Sequence, residues 1–550
     1  MNGNGYYPAD ILGRVNAAEI VVFVIYIVIM MGFGVYFFIK SKGGGEKEYY
    51  LGNREMGPWV SALSAGTSDM SAWVLLALPG SIYWFGMSRA WIAIGLALGY
   101  ILSWIFIAPR LRQFSIAAKD SITLPQFFTN RFITESKVLQ CICAVVFIVA
   151  FAAYSIAHIV VCGVLFNMVF GMSQELGMII GAILIIFYTF LGGFKGVSVS
   201  DFFQGGLMLL ALMAAPFFVL FALSPGTFAA TVFPDTYWNF LFTGRFDWES
   251  ISHILTGFGW GLGYFGMPHI IVRYMAIRKQ SEVKKSAAIA IGWNLLILSA
   301  AVAAGILGRV FLGHHGVSLG APGAVGTGGG ETVFIVLARW IFPAVVSGVL
   351  LSAILSAAMS STDSKLLVAS SSFVADIYKP LIRKNAGKTE LIWMGRAVVL
   401  LVAVVATAIA LWPGRGTIMD IVGNAWGVFG AAFGPAMILS LYWKRFNLPG
   451  AISGIVTGTT VASVWAGAVM VTRSAVANAA AAAIEAGYIA TAAEHIPTEL
   501  QAQILNIGRL FGIVPAFFTS LAVAIIVTLL TKKPSAEVEK LYDDALVLTD

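Results

Sequence analysis

Thirteen hydrophobic stretches of about twenty residues recur along this chain, and each can cross the roughly 30 Å apolar core of a bilayer. They lie at 17–39, 58–85, 90–109, 138–166, 175–193, 199–224, 251–275, 286–312, 332–365, 393–412, 417–442, 447–471 and 508–531. Only 11% of the 550 residues are charged, whereas soluble domains carry about 25%. The sequence therefore predicts one all-α, polytopic membrane domain over residues 1–550.

The basic residues predict how these stretches are oriented. If the N-terminus lies outside, 25 of the 34 Lys and Arg residues fall in inside segments and seven in outside segments. Arg339 and Lys365 remain within the ninth stretch. Cytoplasmic loops are enriched in Lys and Arg, and a miscounted span would destroy this bias downstream. We therefore expect about thirteen transmembrane helices, with the N-terminus out and the C-terminus in.

Two of the stretches are interrupted by polar residues and helix breakers. The first reads SAGTSDMSAW at 64–73, and the second reads GWGLGYFGMP at 259–268. At bilayer depth, freed backbone groups and a carboxylate such as Asp69 are tolerated only where they line a cavity. Paired interrupted helices in two halves of a chain point to the binding site of a secondary transporter. The pattern therefore predicts a solute transporter.

The ninth stretch holds a further polar cluster, SAAMSSTDSK at 356–365. Four small residues share one helical stripe at i, i+3, i+4 and i+7: Ala357, Ser360, Ser361 and Ser364. Small residues also serve helix packing in membranes, which is the alternative interpretation. The carboxylates of Asp363, Asp69 and Asp201 favour an ion path over simple packing. An ion that crosses the membrane needs oxygen ligands in place of its hydration water, and these side chains can supply them.

Amphipathic aromatic residues accompany the interrupted segments. Trp260 and Tyr264 are four residues apart on one helical face, and Trp73 and Tyr154 lie at similar membrane depth. Such rings can wall a pocket for a small apolar solute or face a cation. Each ring alone could equally be a packing or interface residue. Because Trp260 and Tyr264 lie in an interrupted segment, they are the stronger candidates.

Segments 63–80, 259–270 and 351–368 resemble the signature segments of the sodium:solute symporter family. The similarity extends to LP at 124–125 with Phe128, to LGGF at 191–194 and to AAFGP at 431–435. The resemblance implies a LeuT-type fold of five plus five inverted helices. Its parts would be a leading helix at 17–39, repeats at 58–224 and 251–442, peripheral helices at 447–531 and a cytoplasmic tail at 532–550.

The resemblance also implies an activity, which is Na⁺-coupled uptake of L-proline by alternating access. The protein would be a multi-pass protein of the bacterial cytoplasmic (inner) membrane. It would not be an enzyme, and neither nucleic acid nor an obligate protein partner is expected.

The family's functional residues can be placed on this chain by the same resemblance. The sodium site would use backbone carbonyls and two hydroxyls, from Thr67, Met70, Ala357, Ser360 and Ser361. The substrate contacts would be Ser71, Ala72, Trp73, Tyr154, Trp260, Tyr264 and Pro268. Ion coupling or a second sodium ion would involve Asp69, Asp201, Asp363 and Ser364.

Two positions depart from the family pattern. Ala72 stands where glycine is expected, and its methyl group would narrow the pocket or shift affinity. Lys365 stands where a neutral polar residue is usual. Its ammonium would either repel a second sodium or extend to the cytoplasmic face. We expect the latter, because long basic side chains reach toward water from helix ends. One sodium per substrate is the expected stoichiometry.

Other functions stay open at this point. One is Na⁺-coupled symport of another small amino or carboxylic acid. A second is a transporter-like solute sensor, which would be expected to carry a long signalling domain, whereas only residues 532–550 follow the last stretch. A third is a channel, which the apolar, aromatic pocket disfavours. Saturable, substrate-dependent sodium entry would distinguish these alternatives.

Overall fold

The computed structural model describes residues 15–40, 45–224, 226–319, 329–412, 418–485 and 497–548. This part of the chain contains helices and one isolated β-bridge, between Met56 and Ile277. Ten of its helical segments are long and apolar enough to cross a membrane. Two of these segments, 72–117 and 174–222, each hold residues from two of the predicted stretches. The all-α, polytopic prediction is confirmed, while the count of thirteen and the orientation stay predictions.

The helices of the first half of the chain include the first interrupted segment. They are α1 (Ala17–Lys40), α2 (Glu46–Leu51), α3 (Pro58–Asp69), α4 (Ala72–Leu75), α5 (Ala77–Phe85), α6 (Ala90–Leu102), α7 (Ala108–Ala117), α8 (Leu124–Arg131), α9 (Val138–Phe170) and α10 (Gln174–Ala222). A π-helical turn, Ser103–Ile107, joins α6 to α7.

The helices of the second half of the chain include the second interrupted segment. They are α11 (Thr227–Ala230), α12 (Trp248–Leu262), α13 (Pro268–Met275), α14 (Val283–His314), α15 (Val333–Ile341), α16 (Ala344–Phe373), α17 (Lys388–Ala410), α18 (Ile418–Tyr442), α19 (Leu448–Glu485), α20 (Glu499–Ile507), α21 (Ile513–Leu530) and α22 (Ala536–Val547). A 3₁₀ turn, Gly263–Phe265, follows α12, and a π-helical segment, Val374–Ile382, follows α16.

Both interruptions predicted from the sequence are confirmed. Helix α3 ends at Asp69, and Met70 (ψ 80°) leaves the helical path. Ser71 is extended, and its hydroxyl caps α4 by accepting the N–H of Trp73 at 3.5 Å. In the second segment, Pro268 occupies the first position of α13, where its missing N–H costs no helical hydrogen bond. Each break therefore leaves open helix ends inside the protein.

Helix α16 is the centre of the bundle. It packs against α1, α3, α9, α10 and α17, and every residue from 350 to 372 is buried. Its serines and alanines allow this close approach, because small side chains let neighbouring backbones come near in a membrane protein. Helix α1, by contrast, exposes Val21, Ile25 and Val28, as expected for a helix that faces lipid. Polar residues of α16 therefore lie among other helices rather than against lipid.

The ninth stretch, predicted as one span over 332–365, has different bounds. The structure divides it into α15 and α16, because Phe342 is extended and precedes Pro343, which disfavours the helical conformation for the residue before it. Helix α16 then continues well past Lys365, to Phe373. The residues 356–365 thus lie in the middle of a helix and not at its cytoplasmic end.

One boundary agrees with the sequence prediction and another differs from it. The stretches 175–193 and 199–224 lie on either side of a break within α10 at Gly193, where φ is +57°, ψ is −176° and a residue with a side chain would be strained. The twelfth stretch, predicted at 447–471, extends further than expected, because α19 runs on to Glu485. Residues 486–496 lie outside the described part of the chain, and α20 follows them.

Glycines bring α6 and α12 into backbone contact. A Cβ atom added to Gly99 would lie 2.2 Å from the carbonyl oxygen of Gly261, and one added to Gly95 would lie 1.8 Å from that of Gly257. Both distances are far shorter than any real contact of a Cβ atom. This contact fixes the approach of α12 to the break at 263–267 and thereby positions the site.

Candidate functional site

Four of the five predicted sodium-site residues meet between α3 and α16. The hydroxyls of Ser360 and Ser361 both donate to the backbone carbonyl of Thr67, at 3.3 Å and 3.2 Å. The Ser360 hydroxyl also lies 3.3 Å from the carbonyl of Ala357. Met70, the fifth, lies at the end of α3 where the chain leaves the helix. Oxygen ligands of this kind suit a hard cation.

The carboxylate of Asp69 connects the two interrupted segments. The hydroxyl of Tyr264 donates to Asp69 Oδ2 at 2.5 Å, and the indole N–H of Trp73 donates to the Asp69 carbonyl at 3.3 Å. The second carboxylate oxygen, Oδ1, is buried and makes no hydrogen bond within the described part of the chain. Asp69 therefore holds the breaks together and retains one oxygen for a ligand.

Aromatic rings form one wall beside Asp69. The rings of Trp73 and Trp260 are stacked with centroids 6.5 Å apart. Trp260 also packs on Phe511 at 4.8 Å and on Trp426 at 6.1 Å, and the Trp426 indole N–H donates to the Trp260 carbonyl at 2.8 Å. The sequence analysis did not select Trp426 or Phe511, since neither lies in an interrupted segment or in a polar cluster.

The remaining predicted substrate residues lie at the same level of the bundle. Ser71, Ala72 and Pro268 are buried at the breaks themselves. Tyr154 is buried on α9, stacks on His158 at a centroid distance of 5.3 Å, and its hydroxyl makes no hydrogen bond among the described residues. The structure thus brings all seven predicted substrate residues into the protein interior, around the two breaks.

Three of the four residues predicted for ion coupling or a second sodium are linked by the guanidinium of Arg273, which the sequence analysis did not select. Arg273 Nη2 lies 3.4 Å from Asp201 Oδ2 and 2.5 Å from the Ser364 hydroxyl. Arg273 Nε donates to the Ser64 hydroxyl at 3.0 Å, and Ser64 in turn donates to Asp201 at 2.7 Å. The Ser364 hydroxyl lies 3.2 Å from Asp363 Oδ1. An arginine therefore occupies the space between these acidic residues.

The expectation that Lys365 reaches the cytoplasmic face is wrong. The side chain is fully buried, and its ammonium donates to the carbonyls of Ser68 at 3.1 Å and Ser361 at 3.2 Å. The ammonium also lies 4.1 Å from the ring centroid of Tyr154. The prediction failed because α16 continues beyond this residue, which places Lys365 too far from either helix end to reach water.

A polar network links the segment before α3 to the segment at the end of α13. Met56 pairs with the 276–278 segment, since its N–H donates to Ala276 and its carbonyl accepts from Arg278. The guanidinium of Arg54 donates to Asp120, to the Ser121 carbonyl and to the Met275 carbonyl. The chain before α3 is therefore fixed to the chain after α13.

Asp120 lies in a loop outside the membrane-spanning segments and is the anionic member of this network. Burial alone would raise its pKa, but the hydrogen bond from Lys47 and the charge of Arg54 outweigh burial and lower the pKa of Asp120. The network therefore favours the ionised form of this carboxylate over the protonated form.

A surface cavity of about 500 Å³ is separate from the candidate site. Phe37, Tyr49, Phe194, Lys388 and Arg396 are among the residues that line it, and none of them is a predicted site residue. The candidate site is instead the closely packed region between the two breaks and α16.

Comparisons with known proteins agree with this architecture. A model of the sodium:solute symporter family matches residues 49–458. Proteins named sodium/proline symporter, from Staphylococcus aureus strains JH9 and NCTC 8325 / PS 47, are each 40% identical over 529 residues, or 95% of both chains. The solved structure of a Na⁺-coupled sialic acid symporter, in a substrate-bound outward-open state, is similar with a TM-score of 0.69 and 19% identity. The alignment covers 94% of this chain and 99% of that one, and it concerns the fold alone.

Proposed function

Because the chain belongs to the sodium:solute symporter family, we propose that it couples the inward movement of Na⁺ to the uptake of L-proline by alternating access. The choice of proline is supported by the relatives named sodium/proline symporter, which align with 95% of the chain. Each Na⁺ that enters down a potential of 100 mV supplies about 2.3 kcal/mol from the electrical gradient. That energy can drive solute accumulation without ATP.

The observation that carries this proposal is the convergence of two serine hydroxyls on the open carbonyl of Thr67. Sodium would take the place of these hydrogen bonds, with the carbonyls of Ala357 and Met70 as additional ligands. Since the ligands come from α3 and α16, a bound ion would hold these two helices together. Sodium binding would in this way preorganise the neighbouring solute pocket.

The polar groups of the pocket are complementary to a zwitterion. Open helix ends at the two breaks offer backbone N–H groups for a carboxylate and carbonyls for an ammonium. The unpartnered Oδ1 of Asp69 adds an acceptor for the secondary ammonium of proline. The rings of Trp73, Trp260 and Tyr264 would cover the three ring methylenes, at roughly 0.8 kcal/mol for each buried CH₂. Further contacts would come from Ser71, Ala72, Tyr154 and Pro268.

Asp201, Asp363 and Ser364 would serve ion coupling rather than solute contact, and Asp69 would serve both. The support is the place of Asp363 and Ser364 one helical turn from Ser360 and Ser361 on α16. Asp201, on α10, is linked to Ser364 through Arg273. When the transporter opens to the other side of the membrane and sodium leaves, the Arg273 guanidinium can change its hydrogen-bond partners among these residues. Ser64 joins this group through its hydrogen bond to Asp201.

The proposal includes the full topology. It has thirteen transmembrane helices, an outer N-terminus and an inner C-terminus, in the bacterial cytoplasmic membrane. Residues 58–224 and 251–442 would form the two inverted repeats, after a leading helix at 17–39. Residues 447–531 would form peripheral helices, and residues 532–550 a cytoplasmic tail. Each repeat would contribute one of the interrupted helices at 70–71 and 263–267, which supports this division.

Uptake of labelled proline into proteoliposomes tests the proposal. We expect concentrative uptake with an inward Na⁺ gradient and none when K⁺ replaces Na⁺. Unlabelled small amino and carboxylic acids added as competitors identify the solute. Sodium-driven uptake of another solute, without proline uptake, would reject the proline pocket and retain the sodium site. Absence of gradient-driven uptake for every solute would favour a solute sensor.

A further inference from the structure

Lys365 is a buried cation whose donors are all directed at protein groups. An ammonium has three N–H donors. Here two of them point to the carbonyls of Ser68 and Ser361, and the third can face the ring of Tyr154 at 4.1 Å. No carboxylate lies within 4.0 Å of this ammonium in the described part of the chain. Its surroundings therefore resemble a cation site made of neutral oxygens and a π face.

The ammonium also connects the same two helices as the candidate sodium site. Ser68 follows Thr67 at the end of α3, and Ser361 on α16 is itself one of the candidate ligands. The Lys365 ammonium thus binds carbonyls next to those proposed for sodium. A tethered cation at this place holds α3 against α16 in the same manner as a bound metal ion, but it cannot leave with the solute.

The formal charges of this region point to the same role. Five formally charged, buried side chains belong to the hydrogen-bonded groups described above: Asp69, Asp201, Asp363, Arg273 and Lys365. Their formal sum is −1, which a single Na⁺ would neutralise. Without the lysine charge the formal sum would be −2, which two monovalent cations would neutralise. Uncompensated charge is costly away from water, so loss of the lysine charge favours the binding of a further cation.

We propose that the Lys365 ammonium is a built-in cation that takes the place of a second transported ion, so that one Na⁺ accompanies each solute molecule. The inference rests on the sodium-coupled function proposed above and deepens it. Arg273 fills the space between Asp201 and Ser364, and Lys365 fills the position beside Ser361. Among the candidate ion positions in the described part of the chain, the ligand set of Thr67, Ser360 and Ser361 is left for an exchangeable ion.

The accumulation of proline at equilibrium measures the stoichiometry. At zero membrane potential, set with K⁺ and valinomycin, a tenfold Na⁺ gradient should sustain about tenfold accumulation with one ion and about a hundredfold with two. We expect tenfold accumulation for the wild-type protein and for Lys365→Arg, which keeps the charge. We expect Lys365→Gln to approach a hundredfold. Lys388→Gln, an exposed lysine at the start of α17, is the matched control and should behave as wild type.

Hundredfold accumulation by the wild-type protein would overturn the inference, as would tenfold accumulation by Lys365→Gln. Binding of radioactive ²²Na⁺ to the purified proteins gives a readout that needs no transport. One ion per wild-type chain and two per Lys365→Gln chain would support the inference, and one ion in both would reject it. If proline itself is not carried, the number of bound ²²Na⁺ ions still tests the role of Lys365. Failure of the substrate proposal can therefore be distinguished from failure of this inference.

Discussion

The hydrogen bond between Tyr264 and Asp69 offers a direct test of the site, because it joins the two interrupted segments. The donor and acceptor are both fully buried and lie 2.5 Å apart. Hydrogen bonds to charged groups contribute about 1.5–3 kcal/mol, and loss of the donor leaves a carboxylate oxygen unsatisfied. This corresponds to roughly a 10- to 150-fold change in an equilibrium constant.

Replacement of Tyr264 by Phe removes only the hydroxyl. The sodium ligands on Thr67 and Ser360 are assembled in the conformation that contains this bond. If that conformation becomes less populated, the apparent affinity falls by the same factor. We therefore expect Tyr264→Phe to raise the Na⁺ concentration for half-maximal proline uptake by about 10-fold or more, with about 150-fold as the upper limit. Initial uptake rates in proteoliposomes over a range of Na⁺ concentrations measure this.

A double-mutant cycle isolates the bond itself. Asp69→Asn replaces the charged acceptor by a neutral one and should weaken sodium activation strongly on its own, and Tyr264→Phe should add less to it than to the wild-type protein, since a neutral hydrogen bond is weaker than a charge-assisted one. Tyr274→Phe is the matched control, because that buried hydroxyl lies 3.2 Å from Ser103 and does not contact Asp69. If the effects of Tyr264→Phe and Asp69→Asn add within about 0.5 kcal/mol, the two segments are not coupled through this bond.

Three further outcomes follow from the geometry. Ser360→Ala together with Ser361→Ala removes two candidate ligands and should abolish the sodium dependence of uptake, measured with Na⁺ and with K⁺. Gly99→Ala places a methyl group 2.2 Å from a carbonyl oxygen of α12 and should destabilise the detergent-purified protein by about 1–3 kcal/mol or more in thermal unfolding. Asp120→Asn should cost less than about 1 kcal/mol at pH 7, because that side chain is 45% exposed. Since its pKa is lowered in the folded protein, this stabilisation is present above the ordinary carboxyl pKa of about 3.9 and disappears as the pH falls below it.

Matched variants control these experiments. Ser370→Ala removes a buried hydroxyl from α16 that donates to the Gly395 carbonyl, away from the site, and should retain sodium dependence. Gly292→Ala adds a methyl group where no neighbouring atom lies within 4 Å. This variant should leave the unfolding temperature unchanged or raise it, because alanine favours a helix more than glycine does. Normal sodium-dependent uptake by the double serine variant would show that the sodium site is misplaced. Equal unfolding temperatures of Gly99→Ala and Gly292→Ala would contradict the close contact of α6 and α12.

The two interruptions were predictable because their causes are local. Glycines, a proline and an aspartate in an apolar stretch are visible without any knowledge of neighbouring helices, and the structure places the breaks within the predicted segments. The i, i+3, i+4 pattern on α16 likewise brought Ala357, Ser360 and Ser361 to one face, and that face meets Thr67. Local chemistry and periodicity thus selected residues of the two breaks and of α16 that the structure brings into contact.

The partners of these residues were not predictable, since they depend on how distant segments pack. Arg273 is close to helix-end loops in sequence, and it appeared as one more basic residue on the inner side. Its contacts with Asp201 and Ser364 arise only when α13 lies against α10 and α16. Trp426 is a similar case, because only the packing of α18 brings its ring to Trp260.

The error at Lys365 shows why hydropathy is a poor guide to central helices. A run of serines with Asp363 and Lys365 resembles the polar end of a span if lipid is assumed to surround it. Helix α16 is instead enclosed by other helices, so that its polar side chains find carbonyls and hydroxyls rather than hydrocarbon. Polar residues in the middle of a transport helix are stable when the neighbouring helices supply partners. In such a helix, polarity reflects the partners that neighbouring helices supply and does not mark the membrane boundary.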